Sequence, residues 1–387
     1  MKNVLLVFGG RSYEHDISVV TAFQIYKKTR INDVKLIPLY ISRDGKFYLY
    51  ESKKFDIRDF ACKNFTKKSK LFREIVFVGG EKGKLFVKSM FGLKEYLSAK
   101  LAIIACHGGS GENGKLVAFL EENGVFSTSG NFDALAVCMN KFIFKQVMRG
   151  IKVPVVSGFK LTKHDLKDEN IKDKLDLRLR FMKFPVVLKP NNGGSSIGLF
   201  VVNNITEFYE KIEEVFEFDN EVIVEKFIAS CREFNVAIVG DAESFEVSEI
   251  DEPMKTHEVL SFADKYMSGE KSLKGVKGEN SMVGQLRKFP ADVSIELSLK
   301  IKSLASKMFK MLNLSGVVRI DFLFDETKRK LYVCEVNSVP GSLSFYFFSG
   351  NKILVNSFIE RLIDVAEKKM LNMAEPKIDF YTNILSD

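Results

Sequence analysis

The chain has 387 residues, 46% of them hydrophobic and 28% charged, a balance that fits a soluble globular protein of two or three domains and excludes a disordered or fibrous one. Its net charge of +8 comes from lysines spread along the chain, apart from the cluster "KNFTKKSK" (63–70), and no zinc-finger, helix-turn-helix or RNA-binding pattern accompanies it, so no nucleic-acid partner is expected. Five scattered cysteines without CxxC, and four histidines without HExxH, argue against a disulfide framework and a zinc site.

The opening "MKNVLLVFGGRS" has too short an apolar run for a signal peptide and reads as a buried strand entering a Gly-Gly turn. No apolar stretch reaches bilayer-crossing length. Without a targeting or membrane segment, the expected location is the cytoplasm. "ISVVTAFQIYKKT" has the spacing of an amphipathic helix and "VKLIPLYI" that of a second strand. "DGKFYLY" and "IVFVGGEKGKLFVKS" read as hairpin strands, and "AKLAIIAC" as another buried strand. "KLVAFLEENG" reads as a helix stopped by Asn123-Gly124. This alternation predicts an α/β domain over 1–128. Its turns at Gly9-Gly10 and His107-Gly108-Gly109 fall at strand carboxyl ends, where open sheets take ligands.

A second domain, 129–224, starts with the helix "NKFIFKQVMRGIKVP", closed by a glycine and then a proline. Within it "KPNNGGSSIG" (189–198) joins two apolar runs. It is either a plain hairpin turn or a strand–loop–strand whose backbone N–H groups wrap phosphate, with Lys189 at its start. It is not a Walker loop, which feeds a helix. A third domain, 225–387, follows from "VIVEKFI", where the backbone from Glu225 to Ile228 could meet an adenine edge. The polar segment 268–285 reads as a mobile loop, and "NSFIERLIDVAEKKM" as the final helix.

The strongest constellation is "VVRIDFLFDETKRKLYVCEVNSVPGS" (317–342), two alternating runs around a polar turn. A hairpin turning near 327 and 328 sets Asp321 across from about Glu335 and Arg319 from about Asn337. Their Cβ atoms would then be about 5 Å apart on one face, with Ile320, Phe322, Tyr332 and Cys334 on the other. Two carboxylates and an amide oxygen suit a hard cation such as Mg²⁺, which usually arrives with substrate phosphates. That pairing favours the phosphate reading of 189–198.

In order along the chain, "FGGRSYEHDIS", "HGGSGENG", "MNK", "KPNNGGSSIG", "EKFI", "DKYMSG", "RIDF" and "EVNSVPGS" resemble the D-alanine–D-alanine ligases of the ATP-grasp superfamily. The resemblance spans residues 4–348, weakest over 50–98, which match only long-form ligases. It implies a three-domain ATP-grasp architecture, an open α/β domain followed by two α+β domains that clamp ATP. It also implies a homodimer that joins two D-alanines for peptidoglycan precursors. Lys141, Lys189 and Lys265 then resemble the phosphate-binding lysines, Glu225, Lys226, Phe227 and Ile228 the adenine contacts, and Glu233 the ribose contact. Ser195 and Ser196 join the ATP-binding set. Asp321, Glu335 and Asn337 resemble the ligands of Mg²⁺ or Mn²⁺, two ions per site.

Glu14 resembles the carboxylate that receives the first D-alanine's ammonium, with Ser195 and Tyr266 as its partners and His107 nearby. Arg319 and the Gly341 N–H resemble an oxyanion hole. For the second substrate's carboxylate, Ser342, Ser344 and Tyr346 remain alternatives, because "SLSFYFF" departs from the family's stretch. Asn113 stands where the family has Asp, and Asn191 to Gly193 where it has charged residues. A D-alanine–D-lactate ligase is the nearest alternative, disfavoured by Tyr266 where such enzymes carry His. Another ATP-grasp carboxylate–amine ligase is a second. A catalytically dead regulatory relative is disfavoured because Lys189, Glu335 and Asn337 are all present.

Overall fold

The computed structural model describes residues 1–61, 65, 69–254, 287–348 and 354–372. The segment "DKYMSG", with Lys265 and Tyr266, and the expected mobile loop 268–285 lie outside the described residues. The first sheet begins with β1 (Lys2–Gly9), which leads into helix α1 (His15–Lys28), and continues through β2 (Val34–Ile41), β3 (Phe47–Tyr50) and β4 (Phe72–Ile75). The hairpin β5 (Lys84–Ser89) and β6 (Gly92–Ser98) precedes β7 (Leu101–Ile104), helix α2 (Lys115–Glu122) and β8 (Phe126–Ser127). The sheet order is β4-β3-β2-β1-β7-β8, parallel from β2 to β8. Val4 to Phe8 are fully buried, the continuous apolar run expected of a strand covered on both faces. β5 pairs along its length with β6, while Val76↔Phe86 is an isolated bridge to the segment before it, so the hairpin turns at Met90–Phe91 and not at Gly79–Gly80.

Helices α3 (Phe132–Met139) and α4 (Lys141–Gly150) lead out of this layer. Asn140 caps α4, its side chain accepting from the Ile143 N–H at 2.9 Å. Next come β9 (Gly158–Thr162), α5 (Glu169–Met182), β10 (Val186–Pro190), β11 (Phe200–Val202), α6 (Ile205–Val215) and β12 (Glu221–Lys226). Their antiparallel sheet runs β11-β10-β12-β9. Leu175, Leu179, Phe208 and Ile212 of the helices pack on Val186, Leu188, Val222 and Val224. Alternation sends Val187, Lys189 and Glu225 to the opposite face. The sheet runs on through Lys226, so a division at 224/225 falls inside β12.

The third sheet is antiparallel, β15-β14-β13-β16-β17. It comprises β13 (Cys231–Gly240), β14 (Phe245–Pro253), β15 (Arg287–Lys288), β16 (Gly316–Asp325) and β17 (Lys330–Asn337). Phe144 and Met148 of α4, with Ile301, Met308 and Phe309 of α7 (Ile295–Met311), cover Phe234, Val236, Ile238, Val318, Ile320 and Phe322. The final helix α8 (Val355–Asn372) returns to the first layer, placing Phe358, Leu362 and Ile363 in the same core as Val4 to Phe8. Among the described residues no helix is long and apolar enough to cross a membrane.

Candidate active site

A cleft opens between the second and third sheets, lined by residues of both. Val156, Val187, Leu199, Phe227 and Ile228 give it apolar walls, while Lys141, Lys189, Glu225, Lys226, Glu233, Asp321 and Glu335 bring charge to it. Ser196 lines it with Gly193 and Gly194. The loop 191–198 is clamped at its base. The Asn191 amide donates to Glu221 (2.7 Å), its oxygen accepts from the Phe142 N–H (2.9 Å), and Asp219 accepts from the Asn192 N–H (2.6 Å). Lys141 donates its ammonium to the Gly193 carbonyl. Ser195 and Ser196 hold positive φ angles of 55° and 58°, a strain of the kind that gathers at ligand clamps.

The polar part of the cleft is densely charged. Lys189 Nζ lies 3.0 Å from one Glu225 carboxylate oxygen, and Lys145 Nζ, which sequence reading missed, lies 2.8 Å from the other. Burial pulls the Lys189 ammonium down, but the Glu225 charge more than offsets it and the net shift is upward. Burial likewise opposes ionisation of Glu225, yet Lys145 and Lys189 hold it well below the ordinary carboxylate range. Burial lowers Lys141, with Glu335 opposing.

On the hairpin β16–β17, Arg319 faces Asn337 and Asp321 faces Glu335, with a bulge just beyond. Arg319 grips Asp321 bidentately, Nε to Oδ1 at 2.7 Å and Nη2 to Oδ2 at 2.8 Å, while the Asn337 amide donates to Oδ2 at 2.9 Å. Asn235, opposite Asp321 on β13, places its side-chain amide 3.0 Å from Oδ1, and the orientation that satisfies its neighbours makes that amide nitrogen the donor. The bulge corrects one expectation. Cys334 lines the cleft beside Glu335, and the core face with Ile320 and Phe322 is taken by Leu331, Val333 and Val336, not by Tyr332 and Cys334. The extra residue flips the alternation. Asp321 and Glu335 line the cleft with Gly193, Gly194 and Ser196 of the loop 191–198, and with Asn337 they make an oxygen donor set that fits a hard divalent cation once Asp321 gives up part of its bonding to Arg319.

The second cluster forms where β1 and β7 end. Glu14, 8% exposed, receives the Ser195 hydroxyl across the interdomain gap. Gly108 backs it so closely that a Cβ there would fall 2.7 Å from Glu14 Oε2. Buried His107 bonds through Nε2 to Thr21 Oγ1 (2.8 Å) and donates its backbone N–H to the Ser18 hydroxyl oxygen (2.8 Å). Its other ring nitrogen lies 3.8 Å from Glu112. Burial, then the charge of nearby Glu14, raises the Glu112 carboxyl, against His107. Glu112 was missed by the sequence reading, although it sits inside "HGGSGENG". Thr21 also accepts from the Ser342 N–H at 3.4 Å, and the Ser342 hydroxyl donates to Gln24. Gly341 opens the turn Gly341–Phe348, in which residues 342–344 all have φ near 50°. Ser338 Oγ donates to the Glu112 carbonyl at 3.3 Å, tying the end of β17 to this cluster.

Models of the "D-ala D-ala ligase N-terminus" and "D-ala D-ala ligase C-terminus" match residues 3–128 and 147–363. A relative named D-alanine--D-alanine ligase from Thermosipho melanesiensis is 32% identical over 385 residues, covering 100% of this chain and 98% of the relative. The solved D-alanine–D-alanine ligase from Helicobacter pylori superposes with a TM-score of 0.72 at 25% identity, covering 94% of this chain and 98% of that one. The Bacillus anthracis enzyme complexed with ATP is similar in fold, with a TM-score of 0.66, 21% identity, and coverage of 97% and 100%.

Proposed function

This chain belongs to the D-alanine–D-alanine ligase family, and we propose that its cleft uses ATP to join two D-alanines through a D-alanyl phosphate. The observation that carries the reading is the Ser195–Glu14 contact, which joins the phosphate loop to a buried carboxylate at the strand ends of the first sheet. Glu14 receives the ammonium of the first D-alanine and so turns its carboxylate toward the loop. Lys141, Lys189 and Ser196 hold the nucleotide phosphates, Glu225 and the 226–228 backbone the adenine, and Glu233 the ribose. Asp321, Glu335 and Asn337 would hold Mg²⁺, which when bound supplies charge neutralisation for the transferring phosphoryl group.

A carboxylate oxygen of the first D-alanine attacks the γ-phosphorus and ADP leaves. The amine of the second D-alanine then attacks the acyl carbon, phosphate departs with the carboxyl oxygen, and the new amide nitrogen loses a proton. Arg319 and the Gly341 N–H stabilise the oxyanion of that addition. His107, fixed by Thr21, orders the wall beside the first substrate. Lys265 and Tyr266, outside the described residues, keep the roles the resemblance implies, a phosphate contact and a partner of Glu14. For the second carboxylate, Ser342 and Ser344 are sealed at 1% and 0% exposure. Tyr346 lies under the Arg287 guanidinium, 4.6 Å from its ring centroid, and is the contact we assign, with Arg287 beside it.

The test is D-alanine labelled with ¹⁸O in its carboxylate. Label recovered in the released phosphate supports the acyl phosphate; unlabelled phosphate alongside dipeptide formation excludes it.

A further inference from the structure

Glu225 carries two ammonium groups where one would neutralise it. Lys145 lies one helical turn after Lys141 on α4, is 2% exposed, and reaches both Glu225 (2.8 Å) and the Val156 carbonyl (3.4 Å). It does not line the cleft, whereas Lys189 and Glu225 do. Of the three N–H donors on the Lys189 ammonium, the contact with Glu225 at 3.0 Å holds at least one, and moving the ammonium onto nucleotide phosphates draws its charge away from that carboxylate. If it left with no other cation in place, an ionised carboxylate only 5% exposed would be stranded, a strongly unfavourable state. We propose that Lys145 is a positioning residue, the standing counter-ion of Glu225 that releases Lys189 to the nucleotide. The inference rests on the cleft being the ATP site. It also explains why Glu225 stays ionised and acceptor-only, a group that selects a base carrying an exocyclic amine.

The test compares Lys145→Met, Lys145→Arg, Glu225→Gln and the double variant Lys145→Met/Glu225→Gln by ATP KM and kcat at saturating D-alanine. Lys145→Met is expected to raise the ATP KM at least tenfold, more than it lowers kcat, and Lys145→Arg to stay within threefold of the parent. In the Glu225→Gln background no charge is left to strand, so removing Lys145 should change the ATP KM less than threefold. That comparison carries the test if Lys145→Met alone does not fold. A Lys145→Met ATP KM within threefold of the parent, or an equal loss in both backgrounds, would overturn the inference. Failure of the parent protein to form the dipeptide would instead sink the functional reading.

Discussion

Ser195 donates its hydroxyl to Glu14, residues 181 apart in sequence that sit on different sheets' loops. The contact is the single side-chain bond from the phosphate loop to the proposed ammonium site among the described residues. A hydrogen bond to a charged group contributes about 1.5–3 kcal/mol, so Ser195→Ala should raise the D-alanine KM roughly 10- to 100-fold. Ser195→Gly relieves the positive φ but still lacks the hydroxyl, and should show the same KM with higher stability. Steady-state titration of D-alanine and ATP separates the effects; a rise confined to the ATP KM would count against the assignment.

Gly108 is the wall behind Glu14. Its φ is +66°, and an added Cβ would lie 2.4 Å from Ser12 Oγ and 2.7 Å from Glu14 Oε2. Gly108→Ala should displace Glu14 and cut kcat/KM for D-alanine at least about tenfold, beyond the roughly 1–3 kcal/mol of backbone strain. Gly10→Ala is the control, since its φ is +97° but nothing lies within 4 Å. Equal kinetic losses in both variants would show that strain, not contact with Glu14, is responsible.

Asn235 holds Asp321 from the neighbouring strand. Groups that orient metal ligands are typically worth about 10–100-fold in metal affinity. Asn235→Ala should therefore raise the Mg²⁺ concentration for half-maximal activity by on the order of tenfold, and Glu335→Gln by at least as much. Activity titrated against Mg²⁺ at fixed ATP decides this. An unchanged midpoint in Glu335→Gln would place the metal elsewhere.

Lys369 on α8 gives a pH signature remote from the cleft. Burial lowers its ammonium to about 8 from 10.5, against the opposing charges of Glu121 and Asp133. Between those values the unfolded chain binds more protons than the folded one, so stability rises with pH from about 8 to 10.5. The rise is at most roughly 3 kcal/mol. Below that window the lysine is charged in both states and its contribution is flat. Lys369→Met should flatten the rise and stabilise the protein at pH 7, read as urea midpoints from pH 7 to 10. The same slope in both proteins would refute the attribution.

The hairpin shows how far sequence reading reaches. Alternation alone groups Arg319, Asp321, Glu335 and Asn337, and the structure pairs them. A strict two-residue turn at 327/328 would set Asp321 against Cys334, so the expected pairing with about Glu335 needs one residue of slack, which the bulge supplies; a bulge leaves no mark in a period-two pattern. The α/β layer was readable because its strands are continuous apolar runs. Lys145 follows Lys141 at helical spacing, so it could have been found on the same face of α4. Its partner Glu225 could not, because local pattern carries no information about which strand a helix covers. The meeting of Glu14 with Ser195 came only from resemblance, since contacts between distant loops depend on how sheets stack.

The most direct measurement is phosphate release from ATP with Mg²⁺, offering D-alanine, L-alanine, D-lactate plus D-alanine, or no amino acid, with products identified by mass. Phosphate released only with D-alanine present, and matched one-for-one by D-alanyl-D-alanine, is the expected result. ATP binding without D-alanine-dependent turnover, or preferential formation of D-alanyl-D-lactate, would contradict it.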